Sequence, residues 1–459
     1  MLHKNFLISD LRSPVLKGLT RLENWRRLQL NRVNQILEEH EEEIINALQK
    51  DLGKPRTEAF FEIIALRQEL KLAQENLKKW MQPQKVKIPI ALNPGSALIK
   101  HEPLGCVLII GPWNYPFSLT LQPLISALAA GNTVVLKPSE NAPNTSNLIK
   151  KVISKIFPSN VVRVFEGDGL VAEELINKSF DHIFFTGGGT IGKKVMKAAS
   201  NHLTPTTLEL GGKSPAIVLE GADLEITAKR IIWGKGLNAG QTCIAPDHLL
   251  VEEHLTIPFV ELMKKAITTF YGKNPLNSNH FAKIINTYHF KRLKELIDQA
   301  KEKKQIIFGG EVDKNKLRIS PTLIKIKDRD DPLMKEEIFG PIIPILKFQQ
   351  LEKTLSEIRK QPKPLALYIF GGSHQEQEKI INTTSSGSVC INDVVMQAGI
   401  PELPFGGVGA SGMGRYHGYA GFETFSHQKS ILKKPFWLDI KFRYPPYKLD
   451  TSFLKNLLG

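Results

Sequence analysis

Cysteine is scarce in this chain: Cys106, Cys243 and Cys390 are the three among 459 residues. They are too few and too unevenly placed for a disulfide framework. None belongs to a C-x-x-C or Cys/His cluster, so no metal site is expected. A reducing, cytoplasmic compartment is the expectation. Long apolar runs are missing too. No stretch reaches the ~18 consecutive apolar residues of a membrane-spanning helix, and residues 1–10 lack the apolar core and small-residue cleavage site of a secretory signal. The chain has no zinc-finger pattern, RNP-type motif or aromatic–basic ladder. The formal charge of +15 is therefore not read as nucleic-acid binding. Its basic residues lie beside acids along helical runs, as on a solvated, lysine-rich surface.

What is present is an ordinary globular composition, 42% hydrophobic and 23% charged, long enough for two or three domains. Residues 14–51 read as one long amphipathic helix, with Leu16, Leu19, Leu22 and Trp25 and then Val33, Ile36 and Leu37 along its apolar stripe. Residues 58–81 read as a second helix, with Phe61, Ile64 and Leu77 inward. Extended runs at 86–91 and 97–100 flank Asn93-Pro94-Gly95, a hairpin signal. From Gly105 onward, short apolar strands alternate with helices, as in parallel sheets covered on both faces. Such sheets take ligands at the carboxyl ends of their strands. A second alternating block begins near Ser214. Residues 392–425 are rich in glycine, but the interleaved Phe405, Met413, Tyr416, Phe422 and Phe425 call for a packed site rather than a linker.

Six stretches carry candidate chemistry. Residues 238–246, Asn-Ala-Gly-Gln-Thr-Cys-Ile-Ala-Pro, set Cys243 in a turn of small and polar neighbours. That leaves a thiol reachable, unless Cys243 is an ordinary buried thiol. Gly111-Pro112-Trp113-Asn114-Tyr115-Pro116-Phe117 follows an apolar strand. Two prolines stiffen it, and Asn114 is either an NH2 donor for a developing oxyanion or a turn residue. Lys137-Pro138-Ser139-Glu140, at another strand end, suits a ribose and its phosphate, or is a surface ion pair. Thr186-Gly187-Gly188-Gly189-Thr190-Ile191-Gly192 runs from strand through glycine loop to helix, where backbone amides and the dipole favour a pyrophosphate. Glu209, in Leu208-Glu209-Leu210-Gly211-Gly212-Lys213, is a carboxylate among apolar residues. Burial would raise its pKa into the range of a useful base, unless Lys213 pairs with it. Glu337 and Phe339, in Glu336-Glu337-Ile338-Phe339-Gly340-Pro341, offer a carboxylate for two ribose hydroxyls and a ring for a flat partner.

Together, and in this order, these segments resemble the aldehyde dehydrogenase superfamily from about residue 104 to residue 431. Gln241 before Thr242-Cys243, and the tail from Tyr416-His417-Gly418 through Phe422-Glu423-Thr424-Phe425 to Arg443-Tyr444-Pro445-Pro446-Tyr447, resemble its class 3, fatty-aldehyde-type branch. The resemblance implies a Rossmann-like cofactor domain (1–82 and 102–207), an α/β catalytic domain (208–398) and a small β arm with the C-terminal tail (83–101 and 399–459) that builds a homodimer. It implies Cys243 as nucleophile, Asn114 and the Cys243 amide as oxyanion hole, and Glu209 as general base. Lys137 and Glu140 would hold the adenosine ribose. Thr186, Gly187, Gly188 and Gly192 would frame the pyrophosphate, and Glu337 and Phe339 would place the nicotinamide riboside. The implied reaction is oxidation of a medium or long-chain aliphatic, or aromatic, aldehyde to its acid, with NAD or NADP. Gly188 and Gly189 depart from the family, which often has Ser or Asn after the first loop glycine; a side-chain contact to phosphate is lost and backbone donors remain. Glu140 would repel a 2′-phosphate, yet class 3 relatives often accept both cofactors, so the preference stays open. A CoA-acylating enzyme and a non-enzymatic basic binding protein are the alternatives. The tail residues 433–442, with Phe436, Trp437 and Phe442 among Lys433, Lys434 and Lys441, would touch a membrane surface weakly or cover the substrate entrance or the dimer partner.

Overall fold

A computed structural model describes residues 7–439, 443–447, 451–452 and 455. The N-terminal helical region is broken into pieces: Ile8–Leu16, Glu23–Glu39 and Glu41–Leu52, with a 3-10 turn at Leu19–Arg21. The single helix expected over 14–51 fails because Gly18 takes a left-handed φ of 75° and His40 leaves helical geometry. The break turns Leu16, Leu19 and Leu22 outward, while Val33, Ile36 and Leu37 stay in the core. The helix Arg56–Met81 buries Leu77 as expected but exposes Phe61. Its inward face is made of Ala59, Ile63, Leu66, Leu70, Ala73 and Trp80, while Ile64 is half-buried; Glu62 and Glu69 are buried among them and Glu58 is half-buried beside them, positions a polar-out pattern assigns to solvent.

Two sheets organise the rest. The first has six strands in the order Gly412–Met413, Thr206–Glu209, His182–Thr186, Cys106–Ile110, Thr133–Lys137, Val162–Val164. All its pairings are parallel except the one made by Gly412–Met413. The second has seven, in the order Ile306–Phe308, Thr322–Lys325, Ile342–Phe348, His248–Glu252, Pro215–Val218, Ala366–Phe370, Ser388–Ile391. The central strands of both are apolar on both faces and fully buried, as helices on each side require.

A third sheet of three strands, Gln84–Val86, Ser96–Pro103 and Ser426–Lys433, forms an arm. The hairpin signal at Asn93-Pro94-Gly95 marks its turn, although residues 90–92 coil into a 3-10 turn rather than extending. Its long outer strand is exposed along most of its length and, among the described residues, has a partner on one side only. Phe436 and Trp437 beyond it stand in solvent. Lys441 and Phe442 lie outside the described residues. Among the described residues, no helix is long and apolar enough to cross a membrane.

Candidate active site

The register of the first sheet brings four of the chemical stretches together. Ile110 pairs with Lys137 on one side and Phe185 on the other, and Thr186 pairs with Glu209. The Asn114 loop, Lys137, the glycine loop and Glu209 therefore leave the same edge of one sheet, at the carboxyl ends of its strands. The other two stretches come from the second sheet, at the amino ends of strands. The Cys243 turn leads into His248–Glu252, and the Glu337 loop leads into Ile342–Phe348. Between the two sheet edges lies an open cleft of about 1490 Å³. Asn114, Lys137, Glu140, Thr186, Gly187, Gly188, Glu209, Cys243, Glu337 and Phe339 all line it. Gly192 does not. It sits in the first turn of the helix Gly189–Ser200, where an added Cβ would come within 2.9 Å of Leu210. Its contribution is the close packing of that helix on the sheet.

The Cys243 turn is held under backbone strain. Asn238 and Ala239 have φ of 51° and 52°, and Gly240 has 75°. Such left-handed geometry persists where surrounding bonds determine it. At Gly240 an added Cβ would lie 2.3 Å from the Gly340 carbonyl, so glycine is required for space as well. The Asn238 amide donates to Glu58 Oε2 at 2.8 Å. Its side chain donates to the Asn114 carbonyl at 2.8 Å and to the Gln241 carbonyl at 3.1 Å. Gln241 is clamped in turn: its Nε2 donates to Asn238 O and Lys283 O, and its Oε1 accepts from Ile285 N–H. Thr242 shares a 2.8 Å hydrogen bond with Tyr115, and Tyr368 donates to the Ile244 carbonyl. The half-buried Cys243 is left facing the cleft.

Asn114 is buried, and its Nδ2 donates to Gln241 O at 3.1 Å. Glu209 is buried in the cleft wall, and neither of its carboxyl oxygens has a hydrogen-bond partner. Burial raises its pKa well above the ordinary carboxylate range. Lys213 does not neutralise it. That ammonium reaches the other way, to Asp247 and to the carbonyls of Leu333 and Glu336. The Cys243 thiol is pushed up to about 12 by burial, with Glu337 and Glu209 adding to the effect. Burial, with Asp247 adding, also pushes Glu337 up to about 8, and its carboxyl lies against the Gly211–Gly212 backbone. Two carboxyls and a thiol thus share a site in which burial disfavours charge on all three, and the two carboxyls further disfavour it on the thiol. A cation brought among them lowers all three.

The other end of the cleft is built from the remaining residues. Lys137 is buried at its strand end and ion-pairs with Glu140 at 2.7 Å, and both residues line the cleft. The glycine loop opens the 12-residue helix Gly189–Ser200. Nothing stands within 4 Å of the Cβ position of Gly188 or Gly189, whereas at Gly187 a Cβ would strike the Phe185 ring at 2.6 Å. An open cradle beside unpaired helix amides fits a pyrophosphate. Phe339 stands edge-on to Trp113, with ring centroids 5.3 Å apart. His289 packs on the same indole at 4.8 Å. Arg292 donates to the carbonyls of Glu337 at 3.4 Å and Ile338 at 2.5 Å. His289 and Arg292 line the cleft but escaped the sequence reading. They sit on the polar face of an amphipathic helix, Thr287–Glu302, with nothing local to set them apart from solvated residues.

Comparison with known proteins agrees with this geometry. The family model described as "Aldehyde dehydrogenase family" matches residues 20–431. The chain is 44% identical to aldehyde dehydrogenase family 3 member H1 of Arabidopsis thaliana, over 96% of this chain and 92% of that one. It is 43% identical to 4,4'-diaponeurosporen-aldehyde dehydrogenase of Staphylococcus aureus, over 94% of each. Among solved structures, the substrate-bound state of Staphylococcus aureus AldH superposes with a TM-score of 0.95 at 42% identity, covering 98% of both chains. The fold is therefore that of an aldehyde dehydrogenase. With its glycine cradle, thiol and carboxyl facing one cleft, this chain belongs to the aldehyde dehydrogenase family and is an NAD(P)-dependent oxidoreductase acting on aldehydes.

Proposed function

We propose that Cys243 is the nucleophile, Glu209 the hydrolytic base and Asn114 an oxyanion donor, and that the product is the free acid. The supporting observation is that all three line the one cleft that also holds the glycine cradle. The Cys243 sulfur, as thiolate, adds to the aldehyde carbon, and the carbonyl oxygen becomes an oxyanion. An amide NH2 has two donors. One of Asn114's is engaged by Gln241 O, which leaves the other for the oxyanion beside the Cys243 backbone N–H. Lys137, Glu140, Thr186–Gly188, Glu337 and Phe339 would hold NAD(P), which would supply the hydride acceptor when bound. As the oxyanion collapses, the C–H bond breaks, its hydrogen departs as hydride, and a thioester remains on Cys243. Glu209 then takes a proton from water, the hydroxide adds to the thioester carbon, and the C–S bond breaks to release acid and thiolate.

The same reading covers organisation. Residues 1–82 and 102–207 form the cofactor half, with the first sheet extending to Glu209. Residues 208–398 form the catalytic half. Residues 83–101 and 399–459 form the arm and tail. The arm's one-sided outer strand, and the exposed Leu16, Leu19 and Leu22, suit a homodimer. The exposed Phe436 and Trp437 fit the same partner or a weak contact with a membrane surface. A cytoplasmic location fits three free cysteines. Trp113, with Ile110, Leu119 and Phe339 along the same cleft, favours a medium or long aliphatic, or aromatic, aldehyde; Tyr115 and Phe405 do not line it. Incubation with an aldehyde series and NAD or NADP, with and without coenzyme A, is the test. NAD(P)H with free acid supports the reading, and acyl-CoA as the product overturns it.

A further inference from the structure

The helix Arg56–Met81 turns three carboxyls inward, and each accepts backbone amides from a different segment. Glu58 takes the Asn238 amide at 2.8 Å. Glu62 takes the amides of Phe117 and Ser118 at 3.1 and 2.9 Å, just past the Asn114 loop, while ion-pairing with Lys54 at 2.6 Å. Glu69 takes the Gly418 amide at 2.7 Å. Offsets of four and seven residues put all three on one helix face. Of the three, Glu58 reaches closest to the chemistry. Its acceptor fixes Asn238, the first residue of the left-handed run. The Asn238 side chain then ties Asn114 O to Gln241 O, two residues before Cys243.

We propose that Glu58 is a positioning residue for the aldehyde oxidation, holding the Cys243 turn and the Asn114 loop in register through the Asn238 amide. Glu58 touches no reacting atom. The inference rests on the reading of Cys243 as nucleophile. Left-handed Ala239 is disfavoured by its own backbone, and an unbonded Asn238 amide next to it would let the turn relax. A displacement of about 1 Å at a reacting group costs on the order of 100-fold. Burial pushes Glu58 up to about 7, with Lys54 and the Asn238 amide opposing, so the acceptor works as a neutral carboxyl as well as a charged one. That makes glutamine an adequate substitute.

The test compares wild type with Glu58→Ala and Glu58→Gln. It measures kcat, KM for aldehyde, cofactor affinity by fluorescence, and the rate of Cys243 alkylation by iodoacetamide, followed by mass spectrometry. Glu58→Ala should lower kcat and alkylation about 10–100-fold with cofactor affinity unchanged, and Glu58→Gln should restore both. Wild-type rates in Glu58→Ala, or equal damage in Glu58→Gln, overturn the proposal. If Glu58→Ala does not fold, Glu58→Asp carries the test, since it pulls the acceptor back by one methylene: slowed alkylation supports the proposal and an unchanged rate overturns it. Failure of the nucleophile reading is distinguishable, because wild-type Cys243 would then resist alkylation and Cys243→Ala would stay active.

Discussion

Asn114 and Asn238, from different sheets, are joined by a 2.8 Å hydrogen bond from the Asn238 side chain to the Asn114 carbonyl. Asn114, the proposed oxyanion donor, is therefore tied directly to the turn that carries Cys243, the proposed nucleophile. Asn114→Ala removes the donor and leaves the backbone tie in place. The expected result is a fall in kcat of about 10²–10³-fold, with cofactor affinity retained. A steady-state comparison with a saturating aldehyde measures it, and an unchanged kcat would remove Asn114 from the oxyanion hole.

Cys243→Ala should abolish aldehyde-dependent NAD(P)H formation while leaving cofactor binding intact. Glu209→Gln should act later in the cycle. Its expected signature is a burst of NAD(P)H, then turnover slowed by two orders of magnitude or more (about 10²–10⁴, the range of general base catalysis). Intact-mass spectrometry should find the acyl group on Cys243. In the wild type, the raised pKa of Glu209 means that the basic form grows as pH rises. Deacylation should therefore quicken toward alkaline pH, and the quickening should vanish in Glu209→Gln.

Gly188 offers a gain-of-affinity test. Its φ and ψ are −75° and 146°, ordinary for any residue, and its Cβ position is open. Gly188→Ser should fold normally and tighten cofactor binding a few-fold by adding one hydroxyl contact, worth about 1 kcal/mol. Gly187→Ala should do the reverse, since its methyl group meets the Phe185 ring. Cofactor titration by fluorescence quenching separates the two.

Glu140 stands partly exposed at the cleft rim beside Lys137. Glu140→Gln should raise kcat/KM for NADP relative to NAD, because a 2′-phosphate no longer meets a carboxylate. A change of about tenfold corresponds to 1.4 kcal/mol. An unchanged ratio would show that Glu140 does not face the ribose.

Stability should depend on pH in a stated direction. Burial raises Glu58 and Glu69 from 4.5 to about 7, and Glu337 to about 8. A carboxyl raised in the folded state holds its proton more tightly there than in the unfolded chain. Its contribution is complete below the unfolded value and is lost as pH rises through the folded one. These groups should therefore lower Tm between about pH 5 and pH 8. Glu69→Gln should flatten that slope in calorimetry at fixed ionic strength. Asp247, held below its ordinary range despite burial by Lys213, works oppositely and gives way only in acid.

The strands Cys106–Ile110, Thr133–Lys137 and His182–Thr186 were legible because each is a largely apolar run closed by Gly or Pro. The Asn114, Lys137, Gly187, Glu209 and Cys243 stretches all sit at such punctuation. The N-terminal helix was misread because its 3.6-residue rhythm continues across Gly18, where the backbone reverses hand. The inward carboxyls of Arg56–Met81 were invisible for a different reason. Their partners are backbone amides in loops 55 to 349 residues away, and no local pattern records a distant amide. His289 and Arg292 were missed in the same way.

One more feature escapes any local pattern: Gly412–Met413, a two-residue strand lying antiparallel to the strand that carries Glu209. The Leu210 amide beside it donates to the Ser411 carbonyl at 3.1 Å. During synthesis the ribosome has made the strand at 206–209 some two hundred residues before its outer neighbour exists. Until then the margin of the nascent sheet stays uncovered beside Glu209. A fragment ending before residue 412 would present bare strand edge to chaperones or to other chains.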